Sequence, residues 1–229
     1  MIGTIINTGA VVAGSLAGVG VGSRLPGRIH ESVHDGLGLL TLLIGLQMAL
    51  ETQNVLVVLG ALLLGVIAGE LMRISDGLDR LGDCLQSFFH GGKHQTISEG
   101  FITASLVFCV GPLAILGSIR DGLEGDFQLL AVKSMLDGFA SVAFSATLGW
   151  GVLFSALSVL VYQGSITLCA GLLERVLTPP MITEMTAAGG LIIVGIGLKL
   201  LRLKDLRLAN FLPALAIAPL IVFLLSMRG

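Results

Sequence analysis

Residues 127–173 read FQLLAVKSMLDGFASVAFSATLGWGVLFSALSVLVYQGSITLCAGLL. Only Lys133 and Asp137 are charged in these 47 residues. As one helix the stretch would be about 70 Å long at 1.5 Å per residue, more than twice the ~30 Å hydrocarbon core of a bilayer. It must therefore turn back on itself, and Gly149-Trp150-Gly151 is the break its composition offers. Two membrane spans result, 127–148 and 152–173.

The rest of the chain carries the same signal. Of 229 residues, 54% are hydrophobic and 12% charged, with 32 glycines besides, and the mean hydropathy is +0.96. A soluble domain carries about 25% charge, so the composition excludes a soluble enzyme, a disordered chain and a nucleic-acid binder. It fits one all-α, polytopic membrane domain covering 1–229. Further spans are read over 2–21, 36–50, 55–72, 101–119, 187–201 and 211–226, giving eight. Residues 1–73 hold three of them, 74–97 an interfacial helix and loop, and 98–229 the last five.

Two segments need a decision. The 2–21 segment ends near Ser15-Leu16-Ala17, which resembles a signal-peptidase site. It has no basic residue before it, since Arg24 and Arg28 come after, so it reads as a retained first span with its N-terminus outside. In 75–89, Leu78, Leu81, Leu85, Phe88 and Phe89 recur at helical steps opposite Asp76, Asp79, Arg80 and Asp83. That pattern predicts an amphipathic helix on the membrane surface. Cys84, Cys109 and Cys169 show no disulfide or metal spacing.

Basic residues orient the spans. With eight crossings, Arg24, Arg28, Arg73, Arg80, Lys93, Lys199, Arg202, Lys204 and Arg207 fall on one side, and only Arg120, Arg175 and Arg228 on the other. The positive-inside rule makes the richer side cytoplasmic and places both termini outside. An internal likeness also emerges. Gly38-Leu39 matches Gly190-Leu191 and Ile44-Gly45-Leu46 matches Ile196-Gly197-Leu198, at one offset without gaps. Opposite parity would make the second and third spans an inverted copy of the seventh and eighth, a common build of secondary transporters.

Longer motifs run through the chain: Phe108-Cys109-Val110-Gly111-Pro112, Gly117-Ser118, Asp121-Gly122, Lys133-Ser134 with Asp137, Gly149-Trp150-Gly151-Val152, Gln163, Gly189-Gly190-Leu191, Gly197-Leu198 and Asn210-Phe211-Leu212-Pro213-Ala214. Together they resemble the bacterial integral-membrane family of YqgA/YdfK type, domain-of-unknown-function family 554. The resemblance covers essentially the whole chain. It implies a plasma-membrane protein and supplies no substrate or catalytic residue.

Polar residues within the apolar runs carry the functional signal. Lys133 and Asp137 stand i, i+4 and can meet on one helix face. Ionisable groups at membrane depth are costly and face a bundle interior or a wet cavity. The alternative places them in the first turns, with Lys133 reaching the interface. Asp137 is the candidate proton or cation site, with Ser134 beside it. Asn7, Gln47, Gln163 and Asn210 are the other candidate pathway residues, although such groups also bond simply across helices. Gly111-Pro112, Pro213 and Pro219 free backbone carbonyls, which at membrane depth must be met by protein or a cavity. Glu70, one turn before Arg73, reads as a structural ion pair.

The expectation is a secondary transporter of a small polar solute or ion, embedded in the lipid bilayer of the bacterial inner membrane, without cofactor or nucleic-acid partner. Ala10, Gly14, Gly18 and Gly22 form a small-residue ladder on the first span, suited to an internal contact or a homodimer seam. Two rivals remain. One is a scaffold or sensor without a pathway. The other is a zinc-dependent intramembrane protease, because His30-Glu31-Ser32-Val33-His34 is an HExxH and Leu136-Asp137-Gly138 could add a ligand. The HExxH follows a charged connection rather than lying in an apolar span, so the chain is read as not an enzyme. His90 and His94 flank Gly91-Gly92 and read as a solvated loop.

Overall fold

A computed structural model describes residues 1–24, 26–78, 80 and 94–227. Among these residues the chain is helical, with no strand. The helices are α1 (Ile2–Gly22), α2 (Gly27–Ala49), α3 (Val55–Met72), α4 (His94–Cys109), α5 (Pro112–Leu123), α6 (Gln128–Leu148), α7 (Gly151–Leu168), α8 (Ala170–Val176), α9 (Pro179–Leu200) and α10 (Ala214–Ser226), with a 3-10 turn at Leu208–Phe211 before the last. Seven described segments are long and apolar enough to cross a membrane, eight if α4 and α5 count as one bent span.

The breaks have local causes. Gly149 ends α6 at φ 72°, where a side chain would be strained. Gly111 adopts φ 154°, ψ 152°, and Pro112 then opens α5. Proline suits a first helical turn because its missing N–H is not needed there. The axes of α4 and α5 consequently differ by 62°.

Several helices exceed or subdivide the expected spans. α2 starts at Gly27 rather than 36, because a helix continues past the apolar stretch into its charged first turns. α9 starts at Pro179 rather than 187. The 152–173 span divides into α7 and α8 at Cys169. Residues 74–78 and 80 are helical, but most of the amphipathic 75–89 segment, with Cys84 and His90, lies outside the described residues.

The described chain forms two compact units. Unit 1 combines Met1–Leu37 with Asp79–Glu174, and unit 2 combines Gly38–Leu78 with Arg175–Gly229. In unit 1 the most extensive interface joins α1 and α6. A Cβ added at Gly14, Gly18 or Gly22 would overlap the carbonyl oxygens of Gly138, Val142 and Ala146, respectively. The three contacts rise together along both helices, so α1 and α6 run parallel. The small-residue ladder thus serves an internal contact. Lipid tails give no hydrophobic drive between helices, and close backbone approach replaces it. Phe108 meets Phe144 edge-on, with ring centroids 6.2 Å apart.

Unit 2 is built around small side chains. Val58, Ala61, Ala187, Ala188, Ala214 and Ala218 form its buried cluster. Residues 38–49 of α2 pack antiparallel to α9. Gly38 faces Leu201, Gly197 faces Leu42, Gly45 faces Val194, and Gly190 faces Ala49.

Candidate functional site

Lys133 and Asp137 lie on successive turns of α6, in unit 1. Asp137 is the tenth residue of this 21-residue helix, about 14 Å along a length of roughly 30 Å. Asp137 is thus near the helix middle, whereas Lys133, the sixth residue, lies in the second turn. Both residues are buried, at 6% and 8% exposure, and they form an ion pair through Asp137 Oδ2.

Three other elements complete the cluster. From α1, Asn7 Nδ2 donates to Asp137 Oδ2 at 2.9 Å and to Gln163 Oε1 of α7 at 3.2 Å. From α4, the Phe108 carbonyl accepts from Lys133 Nζ at 2.7 Å. Phe108 stands four residues before Pro112, so its carbonyl is the one that proline deprives of a helical donor. The break between α4 and α5 therefore creates an acceptor, and Lys133 fills it. A helix opening at membrane depth is tolerated when protein groups satisfy it in this way.

The amide assignments follow from the charge. A carboxylate only accepts, so Asn7 must turn its NH₂ toward Asp137. That NH₂ also meets Gln163, which must then present its oxygen. Asn7 Oδ1 and Gln163 Nε2 are left with no hydrogen-bond partner, and so is Ser118 Oγ on α5. All three residues are fully buried, at 0% exposure. Buried polar atoms without partners are rare, and each implies water, a ligand or strain.

The remaining candidates are placed as follows. Ser134, one residue after Lys133, is buried and donates to the Leu130 carbonyl of its own helix at 2.6 Å. Asn210 belongs to unit 2, where its Oδ1 accepts from the Ser75 N–H at 2.8 Å. Gln47 is also in unit 2 and is exposed. The structure thus brings Asn7, Lys133, Asp137 and Gln163 into contact, and Asn210 and Gln47 are not part of that cluster. His30, Glu31 and His34 lie in the first turns of α2. No group of three His, Cys, Asp or Glu side chains able to hold a metal occurs among the described residues. Glu70 approaches Arg207 at 3.7 Å rather than Arg73, and both partners are well exposed, a setting in which ion pairs contribute little. Arg73 caps α3 in the left-handed conformation, which turns the chain away from that helix.

Two buried acids escaped the sequence reading. Asp121 of α5 accepts from the Gly3 N–H at 3.1 Å and pairs with the Met1 amine at 2.8 Å. Glu184 of α9 accepts from Thr52 Oγ1 at 2.6 Å, Gln53 N at 2.8 Å and Asn54 N at 3.0 Å. Both acids sit beside polar turns and look like loop residues in the sequence. Thr4 Oγ1 and Thr167 Oγ1, 3.4 Å apart, extend the polar face of α1 and α7 one turn from Asn7 and Gln163.

Comparison with known proteins supplies a family. The profile described as "Protein of unknown function (DUF554)" matches residues 2–223. The chain is 30% identical over 233 residues to the uncharacterized membrane protein YdfK of Bacillus subtilis (strain 168), covering 100% of this chain and 99% of the relative. It is 31% identical over 222 residues to the uncharacterized protein YqgA of Escherichia coli (strain K12), covering 95% and 94%. No solved structure matches. Apolar helices of spanning length and these relatives together make the chain a multi-pass membrane protein.

Proposed function

The chain belongs to the DUF554 family, and from that premise we propose that it is a secondary transporter of a small polar solute or ion in the bacterial plasma membrane. One observation carries the reading. A buried ion pair runs from the second turn of an apolar helix to its middle, against a carbonyl freed by a broken helix, with Asn7 Oδ1 and Gln163 Nε2 unmatched beside it. A purely structural pair would be expected to have its neighbours fully bonded, since half-satisfied buried networks are costly. Broken helices next to buried charge are the usual construction of transporter sites.

Topology is consistent with this. Suppose α1, α2, α3 and the bent α4–α5 pair each cross once, with 75–89 on the surface. Then α6 enters from the same side as α1, which agrees with their parallel contact. A re-entrant α4–α5 pair would make them antiparallel. Eight crossings put both termini on one side, outside by the basic residues.

Unit 2 supports an inverted repeat. The offset 190 − 38 = 152 pairs Gly38 with Gly190 and Gly45 with Gly197. It maps the Gly38–Leu201 contact onto Ala49–Gly190, and the Leu42–Gly197 contact onto Val194–Gly45, and all four are made. These four contacts are compatible with a two-fold relation between α2 and α9.

The test is reconstitution into proteoliposomes with a lumenal pH dye and charge-displacement recording. Amino acids, monocarboxylates, polyols and alkali cations are applied in turn. At least one class should give a sustained signal that Asp137→Asn abolishes. Silence across all classes, with no solute changing thermal stability, would leave a membrane scaffold instead.

A further inference from the structure

Resting on the transporter reading, we propose that the solute is a small monocarboxylate, bound at Lys133 together with a proton taken up by Asp137. The cluster is rich in donors. Asp137 Oδ2 is already met by Lys133 Nζ and Asn7 Nδ2. Two of the three Lys133 N–H groups are engaged, by Asp137 and by the Phe108 carbonyl, and Gln163 Nε2 is a further donor with no partner. A metal cation would have to displace an ammonium and gather about six oxygens. The Phe108 oxygen is already taken, and Asn7 Oδ1 is the remaining unmatched amide acceptor. An entering carboxylate meets what is free: the Lys133 ammonium and Gln163 Nε2. α5 also opens at the same break, and a half-helix N-terminus favours negative charge.

Neutrality dictates the proton. The cluster starts with one positive and one negative charge. An anion alone would leave an excess buried charge, which is costly. If Asp137 takes one proton from the medium as the anion enters, Lys133 pairs with the solute and Asp137 becomes a neutral acid, so the net charge stays zero. Asn7 serves both states. Its NH₂ donates to Oδ2 of the ionised carboxylate and, with the new proton on Asp137 Oδ1, still donates to Oδ2 of the neutral acid, so its bond to Gln163 Oε1 is kept. Asp137 in this view is a resident stand-in for the solute's own carboxylate. The other titratable groups around the pair are Cys109 of α4, within electrostatic reach of both partners, Tyr162 of α7 beyond it, and Asp121 of α5, which is engaged by Gly3 and Met1. Every member is at most 8% exposed, which favours a small acid over a bulky one.

Purified full-length protein in weakly buffered detergent solution tests this with sodium pyruvate, against sodium chloride and the neutral amide lactamide. Pyruvate should bind and alkalinise the medium by about one proton per bound anion; chloride salt and lactamide should not. Asp137→Asn, nearly isosteric, should bind pyruvate roughly ten-fold tighter with no proton uptake, because the competing carboxylate is gone. Lys133→Gln should weaken binding by at least ~10-fold. Proton uptake that persists in Asp137→Asn overturns the proposal. So does sodium or potassium releasing protons through Asp137 while pyruvate, formate and lactate are silent, although that result keeps the transporter reading with a cation as solute. If the proteoliposome screen is also silent for every class, both fall.

Discussion

Buried carboxylates stand in both units, Glu184 in unit 2 and Asp137 in unit 1, and their surroundings differ. Glu184 accepts from one hydroxyl and two backbone N–H groups of a single turn. It fastens the α2–α3 connection with both of its oxygens engaged. Asn210 likewise fastens the chain at Ser75. Asp137 is held by side chains from two helices, Lys133 and Asn7, and the amides around it keep unused hydrogen-bonding atoms. Glu184 and Asn210 close backbone ends in unit 2, as Asp121 does in unit 1. The Asp137 cluster instead joins side chains of three helices and leaves Asn7 Oδ1 and Gln163 Nε2 over. The glycine crossing of unit 2 brings the backbones of α2 and α9 together.

The comparison can be broken by substitution, starting with the largest effect. Asp137→Ala strands the Lys133 ammonium and should cost about 3–5 kcal/mol, read from thermal unfolding followed by the fluorescence of the single tryptophan, Trp150. Adding Lys133→Met to it should recover more than half of that loss, because no lone charge remains. If the double variant is as unstable as the single one, the pair matters for packing rather than for charge. In unit 2, Gly190→Val forces a side chain onto α2 backbone and should cost about 1–3 kcal/mol. Gly45→Val and Gly197→Val, which the repeat offset relates, should cost alike if the crossing is two-fold, and a clear inequality would count against the repeat. Glu184→Ala leaves the Thr52 hydroxyl and two N–H groups without their acceptor, for about 1–3 kcal/mol. It should leave pyruvate-linked proton uptake unchanged; altered uptake would erase the distinction between the units. The smallest effect is Asn54→Ala, which removes the side chain that accepts from Leu56 N at 3.1 Å and should cost about 1 kcal/mol.

Much of the architecture is legible in the sequence. Helix α3 occupies 55–72 as read, because apolar residues fill it between Asn54 and Arg73. The turn at 149–151 and the break at 111–112 follow from glycine and proline chemistry that acts within a few residues. Helix starts were less legible at α2 and α9, where polar residues continue the helix. Hydropathy reports contact with lipid, and a helix can begin before that contact does. Asp121 and Glu184 were missed for the same reason, since an acid beside a turn looks solvated until its backbone partners are known.

A lipid-embedded helical chain, the sites of its bends, and the i, i+4 meeting of Lys133 with Asp137 are all written in the order of residues. These depend on composition and on neighbours along one helix. Packing in three dimensions was needed to show that Asn7, 130 residues from Asp137, bridges it to Gln163, that Lys133 caps the Phe108 carbonyl, and that the glycine ladder of α1 is matched by α6. Those contacts join helices far apart in the chain, and helical periodicity carries no information about which distant face will meet which.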